Sequence, residues 1–456
     1  MQLLDGLAEF IAGVSFKNLP SQTVEEVKLH IFDSLAATRV GASTGEADAN
    51  LQLLKRMNPA VETSGVPVPG FGFSAPLPSA VFLSCVATRL TEMDDIDIAS
   101  CTTPGSVAVP AALCLASYAG VSGDRFVEGV LAGYEAITRL GAAVNGPEIL
   151  YRGIWPTYLC GAIGVATVAS KILGLTVEQI KHAIAISVTL STGISGRAKG
   201  GWSSRWLTLG CAAQNGITAA LAGESGFAGD ASVFDAAFKS MYGLDLQPQI
   251  VLKGLGKEFQ IGKVNLKPYC SARQAVASIE AFRWLLKTHP FKPDAVEEIE
   301  VMVPQQYSQM IDRGTFPEDR LASITSIQYQ LALAAFYEED LFDSERKVLR
   351  DVEKVNTFMK KVRVTPSPHL TAIFPRKWPG KIALRVSGER FEHEVMAPKG
   401  DTDQPMTWED AEQKWKRAIR RSGEPGQIER LKEAVKGLTS TKKMDDLLQT
   451  LSPSKE

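Results

Sequence analysis

The six cysteines (Cys85, Cys101, Cys114, Cys160, Cys211 and Cys270) form no C-x-x-C or C-x-x-x-C pair. This speaks against a zinc or iron–sulfur centre built from local spacing, and cysteines scattered this widely read as small buried hydrophobes. Histidine is scarce too. His30, His182, His289, His369 and His393 stand at no ligand spacing from one another or from a cysteine, which favours surface or satisfied rings over metal ligands. No G-x-G-x-x-G follows a predicted strand and no P-loop occurs, so glycine here serves packing rather than phosphate. The chain lacks a block of lysine and arginine, and its formal net charge is −2, so a nucleic-acid footprint is absent. The apolar runs are broken by Ser, Gly and Pro, and charges recur inside the roughly 20 residues a membrane helix needs. The opening "MQLLDGLAEFIAGVSFKNLP" carries Asp5 and Glu9 without a basic leader and reads as an amphipathic helix, not a signal peptide. The expectation is a soluble, cytoplasmic protein with neither nucleic acid nor membrane as partner.

With 456 residues, 45% of them hydrophobic, the chain exceeds one typical domain, and two are expected. Up to about residue 260 the periodicity is helical. "SQTVEEVKLHIFDSLAATRVG" offers a capping box at Thr23 and Glu26 with Val24, Val27, Ile31 and Leu35 on one face, and "LTVEQIKHAIAIS" repeats the device with Thr176 and Gln179. Between them, Ala/Gly-rich segments such as "CGAIGVATVASKILG" suit closely packed interior helices. After about residue 260, "VEEIEVMVP", "KVRVTPSP" and "KIALRVSGERFEHEVMAP" alternate apolar and polar residues and read as strands around two helices. Beyond "KGDTDQPM" the chain turns helical again, with Thr407 and Asp410 able to cap "WEDAEQKWKRAIRR". The fold class is therefore mainly α: a discontinuous all-helical domain over 1–265 and 403–456, and a smaller α+β domain over 266–402.

Polar residues amid apolar surroundings mark the candidate site. "LTEMDDIDIASCTTPGSVAVPAALCLA" puts Glu92, Asp94, Asp95 and Asp97 within six positions beside an apolar helix. "GRAKGGWSSRWLTLG" carries Arg197, Lys199 and Arg205 in a Gly/Ser-rich stretch, "LKPYCSARQ" places Lys267 at the domain junction, and Tyr329 lies inside a helical pattern. A cationic loop, a lysine and a tyrosine at one cleft would bind an anionic substrate and move a proton. Spacing alone leaves a second reading open, in which these charges are helix caps and interdomain salt bridges.

The chain resembles the MmgE/PrpD family, which includes 2-methylcitrate dehydratase, cis-aconitate decarboxylase and iminodisuccinate epimerase. The acidic segment resembles the family's D-x-D-D segment followed by a His-Pro turn. "LAGYEAITRLG" resembles its G-Y-E-x-x-x-R-L-G, and "GIWPTYLCGA" its G-[FW]-H-P-T-x-x-x-G-A. Ser203 to Ala222 resembles its T-K-P-x-H-x-G-x-A-A-x-N-G, and "LKPYCSARQ" its K-x-Y-P-[SA]-C. The resemblance implies a helical domain with an α+β lid, a homodimer, no metal or organic cofactor, and a small carboxylic acid as substrate. The shared chemistry begins at a carbon next to a carboxylate or imine, where a proton or CO₂ departs and nearby cations stabilise the anion.

Placed residue by residue, the family's first aspartate falls on Glu92 and its paired acids on Asp94 and Asp95. The usual following Thr or Ser is Ile96. Its two site histidines become Thr103 and Trp155, and its lysine and histidine in T-K-P-x-H become Arg205 and Thr208. Lys267 and Tyr329 are kept. The resemblance then implies that Lys267 and Tyr329 move the proton, with Asp94 and Asp95 orienting them or acting directly. Arg205 and Lys199 would bind carboxylate, and Glu92, Thr103, Trp155, Tyr269 and Cys270 would line the substrate. Loss of the histidines removes the natural proton carrier near neutral pH, so a non-standard substrate or reaction is expected. The expected activity is a dehydratase-type lyase. Decarboxylase, epimerase and non-catalytic accessory protein are the alternatives.

Overall fold

The computed structural model describes residues 3–193, 203–314, 316–346, 350–441 and 443–453. The chain divides into two compact units, between Val264 and Asn265 and again between Arg421 and Ser422.

The first unit is helical. Its centre is the Pro156–Leu173 helix, against which the helices Gly105–Ala119, Gly123–Ala143, Val177–Thr189 and Ser204–Glu224 pack. Small residues make this possible. A Cβ at Gly216 would stand 2.5 Å from the Ala162 carbonyl, and one at Gly164 2.3 Å from the Ile137 side chain. Pro156–Leu173 is also the single described helix long and apolar enough to cross a membrane, and 94% of it is buried inside this unit. Those residues lie among the apolar core rather than facing outward, and each large one contributes about 1.5–3 kcal/mol by its burial.

The Thr176–Gln179 capping box is present in full. The box expected at Thr23 is not: the Ser21–Gly41 helix begins after Pro20, so Thr23 lies inside its first turn and is buried. The C-terminal Pro425–Lys436 helix returns to this unit and packs on Ser21–Gly41. There Arg39 donates to the Ser422 carbonyl (2.7 Å) and to Gln427 Oε1 (3.1 Å), and Lys28 to the Lys436 carbonyl (3.1 Å).

The second unit holds a four-stranded sheet in the order Val362–Pro366, Val296–Val303, Gly380–Val386, Glu389–Val395. The first pair is parallel, with Ile299 opposite Val362, and the others are antiparallel. The last two strands meet through Ser387 and Gly388, both at positive φ (51° and 77°), the backbone a two-residue hairpin requires. The Arg273–Thr288 helix packs on the sheet, so close that a Cβ at Gly380 would stand 2.4 Å from Ser278 Oγ.

The expected return to the helical domain at residue 403 comes later. The Trp408–Ala418 helix, capped by Thr407 and Asp410 as anticipated, belongs to the second unit. Its attachment explains this. Arg417 binds Glu339 at 2.7 Å with its guanidinium carbon 3.6 Å from the centroid of the Phe342 ring, and Arg421 binds Asp340 and Asp343.

Candidate active site

In the helical unit the site grows from the end of the Leu77–Leu90 helix. Glu92 sits at φ 52°, a left-handed turn that closes the helix and sends its side chain back alongside Arg89. One nitrogen of Arg89, Nη1, donates to Glu92 Oε2 (2.7 Å) and to Asp94 Oδ1 (2.9 Å). The other oxygen of Glu92 accepts from Arg205 Nη2 at 2.5 Å. Burial works against the charge of Arg89, but Asp94 and Glu92 outweigh it and hold its pKa above the ordinary arginine value. The guanidinium carbon of Arg205 lies 4.7 Å from the Trp155 ring centroid and 4.4 Å from that of Trp206. Arginine favours such aromatic faces because it is weakly hydrated and planar. Trp155 in turn stacks on Tyr158 at 5.6 Å.

Three donors in this cluster have no hydrogen-bond partner among the described residues: Arg205 Nε, Trp206 Nε1 and the Tyr158 hydroxyl. All three residues are at least 95% buried. A buried donor without an acceptor costs free energy, and three such donors stand around one guanidinium.

Asp95, next in sequence, does something different. Its Oδ1 accepts the Gly105 backbone N–H (2.9 Å), and its Oδ2 takes the Tyr134 hydroxyl (2.5 Å) and His30 Nδ1 (3.1 Å). Burial and the adjacent Asp95 push the Tyr134 pKa up, so the phenol remains a donor. Gly105 has to be glycine: a Cβ there would lie 2.3 Å from Ser34 Oγ and 2.7 Å from Asp95 Oδ2. Asp95 thus ties the acidic turn to three helices. Asp97 closes the same turn, pairing with Thr102 across an isolated bridge and accepting the Ser100 N–H at 2.8 Å. Among the described residues, no group of three or more His, Cys, Asp or Glu is placed to share a metal ion.

Thr103 enters a hydroxyl network. Its N–H donates to Thr157 Oγ1 (3.0 Å), and its own Oγ1 lies 3.1 Å from Ser106 Oγ and 3.2 Å from Thr157 Oγ1. These hydroxyls do not titrate near neutrality. Lys199, expected to bind carboxylate, lies outside the described residues, as does Arg197.

The remaining candidates belong to the second unit. Lys267 is buried, one position after Leu266, whose N–H is fixed on the Gly400 carbonyl at 2.9 Å. Cys270 is buried and its carbonyl accepts from Arg346 Nη2 (2.7 Å) and Gln330 Nε2 (3.2 Å). Tyr329 is also buried. Its ring meets Phe316 edge-on at 5.8 Å. Burial raises its pKa, leaving a protonated phenol. Tyr269 bonds Arg283 and is pushed up to about 12 by burial. It lines a cavity of about 570 Å³ with Glu280, Trp284, Lys287 and Lys399.

The structure thus gathers Glu92, Asp94, Trp155 and Arg205 into one cluster, sets Asp95 and Thr103 behind it, and holds Lys267, Tyr269, Cys270 and Tyr329 in the other unit. Sequence reasoning passed over Arg89, Tyr158, Trp206 and Tyr134, and took His30 for a surface or satisfied ring without naming Asp95 as its partner. Arg89 had one signal, its three-residue spacing from Glu92.

Two family models match the chain: the MmgE/PrpD N-terminal domain over residues 5–246 and the MmgE/PrpD C-terminal domain over 269–439. Among curated relatives, a cis-aconitate decarboxylase-like protein of Aspergillus oryzae is 24% identical, with 98% of this chain and 96% of that protein aligned. A cis-aconitate decarboxylase of Aspergillus terreus is 23% identical over 74% of this chain and 71% of its own. The human cis-aconitate decarboxylase is 25% identical over 53% of this chain and 50% of its own. The two models together span most of the sequence, and this chain belongs to the MmgE/PrpD family.

Proposed function

We propose that this chain is a lyase that forms an anion next to a carboxylate of a small organic acid, with loss of CO₂ as its leading reaction. The observation that carries the reading is the buried donor array of Arg205, Trp206 and Tyr158 beside Asp94. In decarboxylation the bond from carbon to the departing carboxylate breaks and its electron pair passes into the retained conjugated carboxylate. Fixed donors stabilise that charge without reorganising. A protonated side chain then delivers a proton to carbon, and Tyr329 and Lys267 are the proposed donors. The sequence put dehydration first. The aromatic wall of Trp155 and Trp206 moves decarboxylation ahead, since a carboxylate held against apolar rings leaves more readily as neutral CO₂, and the names of the relatives lend the same support. Dehydration stays as a second reading because it starts from the same anion next to a carboxylate and would draw on the same donors.

The test is turnover of a panel of citrate-, malate- and itaconate-like acids and cis-aconitate, read by mass spectrometry in ordinary and deuterated water. Loss of 44 mass units supports decarboxylation and loss of 18 supports dehydration. Deuterium exchange without mass loss would point to epimerisation, and no change in any acid would reject the lyase.

A further inference from the structure

Tyr269 lines the cavity of about 570 Å³ inside the second unit. The Arg273–Thr288 helix supplies much of the wall. Its Glu280, Arg283, Trp284 and Lys287 are spaced three, four and seven positions along one face. The carboxylates of the cavity are already answered. Glu338 takes Arg283, and Arg417 at 3.4 Å. Glu280 accepts the Lys399 backbone N–H through both oxygens, at 3.0 Å each. Lys287 is exposed and pairs with neither carboxylate. Lys399 Nζ reaches Asp410 at 2.7 Å, and its side chain stays partly exposed. The lining therefore carries more positive than negative charge. Beside these cations stands a flat apolar surface: Trp284 stacks on His393 at 3.9 Å, yet remains 43% exposed.

The walls of this cavity are also what holds the segment that carries Lys267. Gly400, next to Lys399, accepts the Leu266 N–H at 2.9 Å. Leu341, in the Glu338–Phe342 turn, accepts the Cys270 N–H at 2.9 Å. Tyr269 lies between these two points, with its hydroxyl bound by Arg283. We propose that the cavity is an effector site for an anion carried on a flat ring, as in a mononucleotide or an aromatic carboxylate, and that its occupancy is felt at Lys267. The anion meets Lys287 and Lys399, and the ring lies against Trp284. The volume falls within the roughly 300–1,000 Å³ of small-molecule sites. An anion drawn to Arg283 and Lys399 competes for the groups that fix Tyr269 and border Gly400. The bound and empty states then hold the lysine differently, which is what an effector needs in order to act.

The site stands apart from the lyase reading, and only its effect through Lys267 rests on that reading. Calorimetric titration of the full chain with AMP and with benzoate tests the two sources of this chemistry. Adenosine and benzamide keep the rings without the anion, and inorganic phosphate and acetate keep the anions without the ring. AMP or benzoate should bind with a Kd of about 1 mM or tighter, and at least tenfold more tightly than its own two controls. Lys287→Glu and Trp284→Ala, both at exposed positions, should each weaken that binding by about tenfold or more. The bound ligand should change turnover by about fivefold or more, and Lys287→Glu should remove that response while basal turnover stays the same. Binding by neither AMP nor benzoate, or binding that both variants leave unchanged, would overturn the site. Binding with unaltered turnover would overturn the link to Lys267. Binding together with no turnover of any acid would uphold the site and reject the lyase.

Discussion

Replacing Arg89 with methionine should be among the most damaging single changes in the helical unit. Arg89 is buried, and its Nη1 serves Glu92 and Asp94 together. Methionine fills much of the volume but leaves both carboxylates without that cation. Removing one partner of a buried ion pair costs about 3–5 kcal/mol, because the remaining charge stays desolvated. The pair of Glu92 with Arg205 survives, so the lower half of that range is expected, about 3–4 kcal/mol. For a unit of this size the melting temperature should fall by roughly 6–15 °C. Arg89→Lys keeps the charge and should lose about half as much. Denaturant titration gives the stability, and a double-mutant cycle with Asp94→Asn isolates the pair, with a coupling of about 1–3 kcal/mol expected for contacting charges. If Arg89→Met unfolds within 1 kcal/mol of wild type, or the cycle shows no coupling, the claim that this arginine organises the acidic turn is wrong.

Lys267→Ala should lower kcat by about 10²–10⁴-fold, the contribution of a positioned proton carrier, with circular dichroism unchanged. Near-wild-type turnover would remove Lys267 from the reaction. Burial raises the folded-state pKa of Asp97 above its ordinary value of 3.8, with Ser100 pulling the other way. A raised carboxylate pKa gives stability that is present below the unfolded value and lost as pH climbs through the folded one. Asp97→Asn should therefore flatten the loss of stability between pH 4 and 7 and match or exceed wild type at pH 7, as melting curves across that range would show. Under the metal-free chemistry that the family resemblance implies, overnight dialysis against EDTA should leave turnover unchanged; loss restored by a divalent metal would contradict it.

Much of the architecture was legible because burial imposes periodicity. The strands at Val296–Val303 and Gly380–Val386 and the capping boxes at Thr176 and Thr407 follow from local pattern. The second domain boundary was not legible. Turn residues after Lys399 suggested a break, but Arg417 and Arg421 bind Glu338 to Asp343, about 80 positions away, a pairing that no local window contains. The site divides in the same way. Glu92, Asp94, Trp155 and Arg205 were singled out through a family pattern, but that Glu92 would take Arg205 for itself depends on the left-handed turn at Glu92. Arg89 was passed over, because nothing in its local window marks it as the shared partner of two carboxylates. His30 and Tyr134 gave no sign that they share a carboxylate with a residue 65 and 39 positions away.

Asp94 and Asp95 are neighbours that belong to different worlds, one bound to Arg89 in the arginine cluster and the other bound into three core helices through Tyr134, His30 and the Gly105 backbone. One peptide unit therefore joins the packing of the core to the arginine-bound turn. A substitution at His30 or Tyr134 leaves the buried Asp95 short of a partner, so it should lower stability and, through that single peptide unit, disturb the setting of Asp94 against Arg89.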